Sequence, residues 1–118
     1  GLSCLVRDNL EVIVKRRPDL VHRIWVGGGG ARWTSLIQTL ADLNRRPLYR
    51  CPVAEASLYG AGLLTGMAAG LWDLSGLPRP NRPDRVFRPR LGRQQADRIY
   101  SEWKTALRLA REWSKEQW

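Results

Sequence analysis

The chain has 118 residues, one domain's worth, enough for a single core that would bury roughly two-thirds of the unfolded surface. A hydrophobic content of 43% with six tryptophans excludes a disordered polypeptide. The net charge of +9, carried almost entirely by arginine, admits nucleic acid, an anionic surface or a phosphorylated ligand as partner.

In chain order, Leu2, Leu5, Val6, Leu10 and Ile13 recur at helical spacing with Arg7, Asp8 and Glu11 on other faces, which predicts a one-sided helix closed by Lys15-Arg16-Arg17 and Pro18. Val21 to Val26 reads as a short, mostly buried strand. Gly27-Gly28-Gly29-Gly30 follows directly, and then Trp33, Leu36, Ile37, Leu40 and Leu43 mark a second helix that Asn44 can cap. Pro47-Leu48-Tyr49 opens a second extended segment. A third helix is expected over about 54–72, with Glu55 in its first turn, where a carboxylate favours the dipole. Gly62, Gly66 and Gly70 share one side of that helix, so close packing against another backbone is expected to compensate their poor helix propensity. Its uncharged run, 56–72, is shorter than the ~20 apolar residues of a membrane span and predicts a buried core helix. Four prolines between Asp73 and Gln95 predict an extended surface loop over 72–93. A terminal helix over 94–114 presents Ile99, Trp103, Ala106, Leu107, Ala110 and Trp113 as its apolar stripe.

Little of this carries chemistry by itself. Cys4 and Cys51 lie far apart, with no Cys-x-x-Cys pair, and are expected to be reduced thiols of a cytoplasmic protein. His22, the single histidine, reads as a surface position rather than a general base. No nucleophile sits in a recognisable elbow, and the acids are spread over helix faces and loops, with only Asp42 and Glu55 embedded in apolar sequence. Seven arginines between Arg79 and Arg98 are the nearest thing to a basic patch, but Phe87 is the only aromatic among them, too few for a single-strand stacking platform. The glycine run remains. Strand, glycine turn and helix can hold a phosphate, because bare backbone lets an anion approach and the helix start favours negative charge. The run fits neither the P-loop nor the dinucleotide fingerprint, since Ala31-Arg32-Trp33 follows it. From local pattern alone, a phosphate turn and a tight packing turn remain equal readings.

The order of segments resembles a known family. Val26-Gly27-Gly28-Gly29-Gly30-Ala31, followed by Gln38 and Leu40-Ala41-Asp42, is similar to the adenosine-binding region of the FGGY carbohydrate kinases, members of the actin-like ATPase superfamily. Arg46-Pro47 and Glu55-Ala56-Ser57-Leu58-Tyr59-Gly60-Ala61-Gly62 resemble the family's GRPV…E-x-x-A-L-G-A-A segment, and Leu5 to Glu11 resembles the helix upstream of it. Thr65-Gly66-Met67-Ala68-Ala69-Gly70-Leu71-Trp72, Phe87-Arg88-Pro89 and Tyr100-Ser101-Glu102-Trp103-Lys104 are most like the glycerol kinase branch.

The resemblance implies an α/β fold: part of the actin-like (ribonuclease H-like) C-terminal lobe, helix-rich with two short strands, the whole chain, 1–118, being a partial kinase domain. It implies an ATP- and Mg2+-dependent transfer of phosphate to a sugar or polyol hydroxyl, with the catalytic aspartate and the remaining phosphate loops upstream of Gly1, so that no residue here is catalytic or a metal ligand. It places the nucleotide contacts at Gly28, Gly29 and Gly30, and beside the adenine at Trp33, where the family carries a small polar residue. The chain is then expected to bind adenine nucleotide weakly, to turn over nothing alone, and to self-associate through strand edges and the glycine-striped helix. It is not expected to engage a membrane. The alternative is a basic helical nucleic-acid-binding module, marked by steeply salt-dependent affinity.

Overall fold

The computed structural model describes residues 1–117, without the side chains of Leu20, Glu116 and Gln117. Helix α1 (Leu2–Arg16) leads through a short 3-10 turn to strand β1 (Ile24–Val26). The glycines enter a second 3-10 turn, Gly29–Arg32, before helix α2 (Thr34–Asn44) and strand β2 (Leu48–Arg50). Helix α3 (Ala56–Ala68), strand β3 (Arg85–Phe87) and the long helix α4 (Arg93–Gln117) complete the chain. The sheet order is β1-β2-β3: β1 runs parallel to β2 with Ile24 opposite Leu48, and β3 runs antiparallel to β2 with Phe87 opposite Leu48. The β1-α2-β2 segment is therefore a parallel crossover unit with α2 on one face.

The two expected strands are present, and a third lies inside the expected 72–93 loop. Pro83 and Pro89 flank β3 without entering it, and arginine on both sides of Val86-Phe87 masks its apolar signal. The strand is held by a clip from α2. Gln38 Nε2 donates to Asp42 Oδ1 (2.9 Å) and to the Arg88 carbonyl (2.8 Å), and the Arg90 N–H donates to the same Asp42 oxygen (2.7 Å). The Gln38 and Asp42 that carry much of the family resemblance thus fasten the segment after β3.

The core has two parts. Ile37, Leu40 and Ala41 of α2 meet Leu48, Phe87 and Ala31, with Val6, Ile24, Val26 and Leu36 packed around them. Cys4, Leu43, Ala96 and Tyr100 join α1, α2 and α4, with Trp103 and Leu91 alongside. Both cysteines are free.

Three packing expectations are corrected. On α1 the buried residues are Ser3 and Cys4, whereas Leu2, Leu5, Val12 and Ile13 form an exposed second stripe. On α4 the buried side runs through Ala96 and Tyr100 to Trp103, while Ile99 and Trp113 are exposed, because Tyr100 can satisfy its hydroxyl against α1. Helix α3 is not a buried core helix in this chain: only Gly66 is buried on it, and Leu58 and Leu64 are 73% and 68% exposed. Gly66 accommodates the Trp72 indole rather than a neighbouring backbone, since a Cβ there would lie 2.1 Å from the ring. Trp72 Nε1 in turn donates to the Leu63 carbonyl at 3.0 Å. The second helix also ends differently. Arg45 turns it in a left-handed conformation (φ 54°, ψ 35°), and Asn44 Nδ2 donates back to the Leu40 carbonyl at 2.7 Å.

The accessible surface is 8832 Å², whereas a compact protein of 13.5 kDa exposes about 6500 Å². The radius of gyration, 17.9 Å, exceeds the roughly 13.5 Å of a compact domain of this length. Instead of two-thirds, only about 55% of the unfolded surface is buried. Exposed large apolar side chains lie on the outer stripe of α1, on α3 and the segment just after it, and on the far half of α4.

Polar contacts hold α4 to α1. Arg7 Nη2 contacts Asp97 at 2.5 Å and Arg7 Nε contacts Glu11 at 3.1 Å, with the guanidinium 4.3 Å from the Tyr100 ring centroid. The Tyr100 hydroxyl donates to Asp8, which lies 3.7 Å from Lys104 Nζ. The Tyr100 hydrogen bond holds Asp8 below the usual carboxylate range, and Arg7 does the same for Asp97. Burial, followed by the Asp8 hydrogen bond, pushes the Tyr100 phenol up. Depressed carboxylates contribute stability that is present above their unfolded pKa and lost as the pH falls through the folded value. A raised phenol contributes stability that is present below its unfolded pKa and lost on going above it. We expect α4 to loosen at both acid and alkaline extremes while the sheet persists. Amide exchange across 96–107 checks this, and exchange that stays flat from neutral pH into acid, once the intrinsic rate is corrected, contradicts it.

Candidate functional site

Because β1 and β2 are parallel, the segments leaving their C-terminal ends lie side by side, which is where open α/β sheets place ligands. The Cys51 N–H donates to the Val26 carbonyl at 2.8 Å, bringing Cys51-Pro52-Val53 against the glycine turn. Together they form a hollow of about 250 Å³ lined by Gly27, Gly28, Arg32, Arg50, Cys51 and Asp84, among others. Arg50 contacts Asp84 through Nη2 (2.5 Å) and Nε (2.6 Å), whereas Arg32 has no carboxylate partner among the described residues. The hollow is smaller than the ~300–1,000 Å³ typical of small-molecule sites, as one wall of a larger cleft would be.

The four glycines are not equivalent. A Cβ on Gly27 would make ordinary contacts with Ala56 and Cys51 at 3.5 and 3.6 Å. Gly28 has φ 84° and ψ −179°, a region that only glycine occupies without strain. Gly29 and Gly30 have neither constraint: a Cβ on either would meet nothing within 4 Å, and neither has a positive φ. Local packing and backbone conformation therefore account for glycine at 28 but not at 29 and 30. The Ala31 N–H donates to the Gly28 carbonyl (3.0 Å) and the Trp33 N–H to the Gly30 carbonyl (3.2 Å), while no backbone acceptor is found among the described residues for the N–H groups of Gly29 and Gly30.

Trp33 stands at the start of α2 without a capping side-chain bond, and its indole is 70% exposed. Of the four residues expected from the sequence, Gly29, Gly30 and Trp33 are exposed and lie outside the lining of the hollow, whereas Gly28 is half-buried and lines it. The 3-10 turn also separates the glycines from α2, so the helix start is offered at Trp33 rather than at the glycines. Arg32, Arg50 and Asp84 were not singled out from the sequence. The available signal was topological, since residues following two parallel strands converge. Glu55, by contrast, is exposed at the start of α3 and makes no capping bond through its side chain. Among the described residues, no three of His, Cys, Asp and Glu converge to hold a metal ion, and no helix is long and apolar enough to cross a membrane.

No protein-family model matches the chain. It is 37% identical to a glycerol kinase of Halorhodospira halophila over 98% of its own length and 23% of the relative's. It is 34% identical to glycerol kinase 2 of Thermotoga maritima, over 98% of this chain and 23% of the relative. A glycerol kinase of Pseudothermotoga lettingae is 32% identical over 96% of this chain and, again, 23% of the relative. The fold matches a crystal structure of Plasmodium falciparum glycerol kinase with ADP at a TM-score of 0.67, 20% identity, 92% of this chain and 22% of that one. The chain thus spans less than a quarter of the relatives it matches, and it has the corresponding part of their actin-like ATPase fold.

Proposed function

We propose, on the premise that this chain is homologous to a quarter of a glycerol kinase, that it forms the adenosine-side wall of an ATP-dependent polyol kinase, from the C-terminal lobe of that enzyme. The observation that carries this reading is the bare turn at Gly29 and Gly30, which has no internal reason to be glycine and holds free N–H groups beside a basic hollow. Gly28 shapes the turn, Gly29 and Gly30 let the nucleotide phosphates approach the backbone, and Trp33 offers its exposed face to the adenine. The whole enzyme would transfer the γ-phosphoryl group of ATP to a hydroxyl of glycerol or a similar polyol, by positioning and charge stabilisation. The reaction would also use Mg2+, and among the described residues no three of His, Cys, Asp and Glu converge to form a cage for it. The ion's protein ligands and the catalytic base belong to the rest of the enzyme.

Two results are expected of this chain. ADP raises its melting temperature with weak affinity, and a coupled ADP-release assay with ATP and glycerol shows no turnover. A folded chain indifferent to ADP overturns the nucleotide wall, and measurable turnover overturns the division of labour.

The uncovered surface supports self-association. The surplus of about 2300 Å² over a compact protein is as large as an extensive protein interface. It includes the exposed leucines of α3 and the unpaired edge of β1. Sedimentation should show dimers or larger species at micromolar concentration, and a clean monomer contradicts this.

A further inference from the structure

A second cleft, of about 430 Å³, lies between α1, the turn joining α2 to β2, and the first turn of α4. It shares no lining residue with the hollow beside the glycine turn. We infer that this cleft binds a small phosphate-bearing anion, at a site separate from the proposed nucleotide wall and independent of it.

Its charge is the first reason. Arg7 is already engaged by Asp97, Glu11 and the Ala96 carbonyl. Lys15, Arg45, Arg46 and Arg93 line the same cleft and have no carboxylate partner among the described residues. Five basic and two acidic side chains line the cleft, with Asp97 feeling Arg93 and Arg45 besides Arg7, so positive charge remains in excess. An anion with two or more charges relieves the repulsion among those cations. Guanidinium groups also match the oxygen geometry of phosphate.

The second reason is the backbone at Arg45. Its left-handed conformation is one that glycine adopts without strain, and Arg45 is the only non-glycine residue with positive φ among those described. The side chain kept there reaches the segment just before α4, where Nη1 donates to the Leu91 carbonyl at 3.3 Å. A strained residue whose guanidinium reaches into a basic cleft points to a use for that guanidinium.

Two further features lie at the same place. The first turn of α4 contains no acidic residue, and Gly92, which precedes it, has no capping side chain. Asn44, in the cleft lining, carries a buried side-chain oxygen without a partner among the described residues; as an acceptor it calls for a donor such as water and marks a polar cleft rather than a contact to the anion itself.

The test is a pyrophosphate titration of this chain at ionic strength held constant with sodium chloride, followed by thermal melting and by amide shifts. A saturable rise in melting temperature is expected, with shifts at Gly92, Arg93 and the Asn44 side-chain amide. Arg45→Gly should melt higher than the parent without ligand, yet bind pyrophosphate about tenfold more weakly, as loss of one charge-assisted pair implies. Arg93→Gln should weaken binding similarly. Arg79→Gln removes the same charge from the exposed loop and should leave binding unchanged. The inference is overturned by an equal rise with sodium chloride alone, by equal weakening in Arg79→Gln, by undiminished binding in Arg45→Gly, or by shifts confined to residues 28–33. A random DNA duplex that binds while pyrophosphate does not would overturn it as well.

Discussion

Replacing Phe87 by alanine is expected to leave the chain without a cooperative folded state, or to lower its melting temperature by roughly 10–25 °C, taking about 3–5 kcal/mol for the cavity and the lost transfer energy. Phe87 is 1% exposed and is the largest of the fully buried side chains. It sits opposite Leu48 in the sheet and against the buried face of α2, and the guanidinium groups of Arg85 and Arg50 lie 4.9 and 5.7 Å from its ring centroid. Total stabilities of small domains are about 5–15 kcal/mol, and a fold that buries only about half of its unfolded surface belongs at the low end. The loss also propagates. Without the ring, β3 has little reason to stay on β2, and the Gln38–Asp42 clip loses the backbone that it fastens. Phe87→Leu should recover most of the loss. Urea unfolding followed by circular dichroism distinguishes the two, and a Phe87→Ala protein melting within a few degrees of the parent refutes this account of the core.

That Phe87 carries so much was hidden in the sequence, and the reason is physical. Period-based reading finds long amphipathic elements, and it found α1, α2 and α4 and the β1-α2-β2 order, while α3, expected over about 54–72, ends at Ala68. A three-residue strand bracketed by prolines and arginines has no period to read, and its burial comes from pairing with a strand 37 residues away. The stripes of α1 and α4 were rotated for a related reason. Both helices carry apolar residues around more than one face, and which face is buried depends on polar partners such as Arg7 with Asp97 and Tyr100 with Asp8. The uncovered α3 was read as core because its composition is that of a core helix. The surface that would cover it is not supplied by the described residues of this chain. At the site, the glycine turn was legible as a turn but its purpose was not, since four consecutive glycines look alike until the space around each Cβ is known.

That space gives the last expectation its sharpness. Gly29→Val and Gly30→Val should leave the melting temperature within a few degrees of the parent, because an added side chain meets nothing and the backbone needs no positive φ. Gly28→Ala should instead destabilise the fold by about 1–3 kcal/mol, the cost of a side chain at a glycine-only conformation. On nucleotide binding the order reverses for the proposed site. Gly29→Val should weaken ADP at least about tenfold, since a branched side chain keeps the phosphates from the backbone N–H groups, a loss of about 1.4 kcal/mol or more. It should affect adenosine much less, because adenosine has no phosphate to exclude. Trp33→Ala should weaken ADP and adenosine alike, by the ~1–3 kcal/mol of a base stacked on an aromatic ring. Calorimetric titration of Gly29→Val and Trp33→Ala with both ligands separates these contributions. If Gly29→Val binds ADP as the parent does, the turn is a packing device and the nucleotide lies elsewhere. If Trp33→Ala weakens ADP but not adenosine, the indole acts on the phosphate side and the orientation of the nucleotide along the turn is reversed.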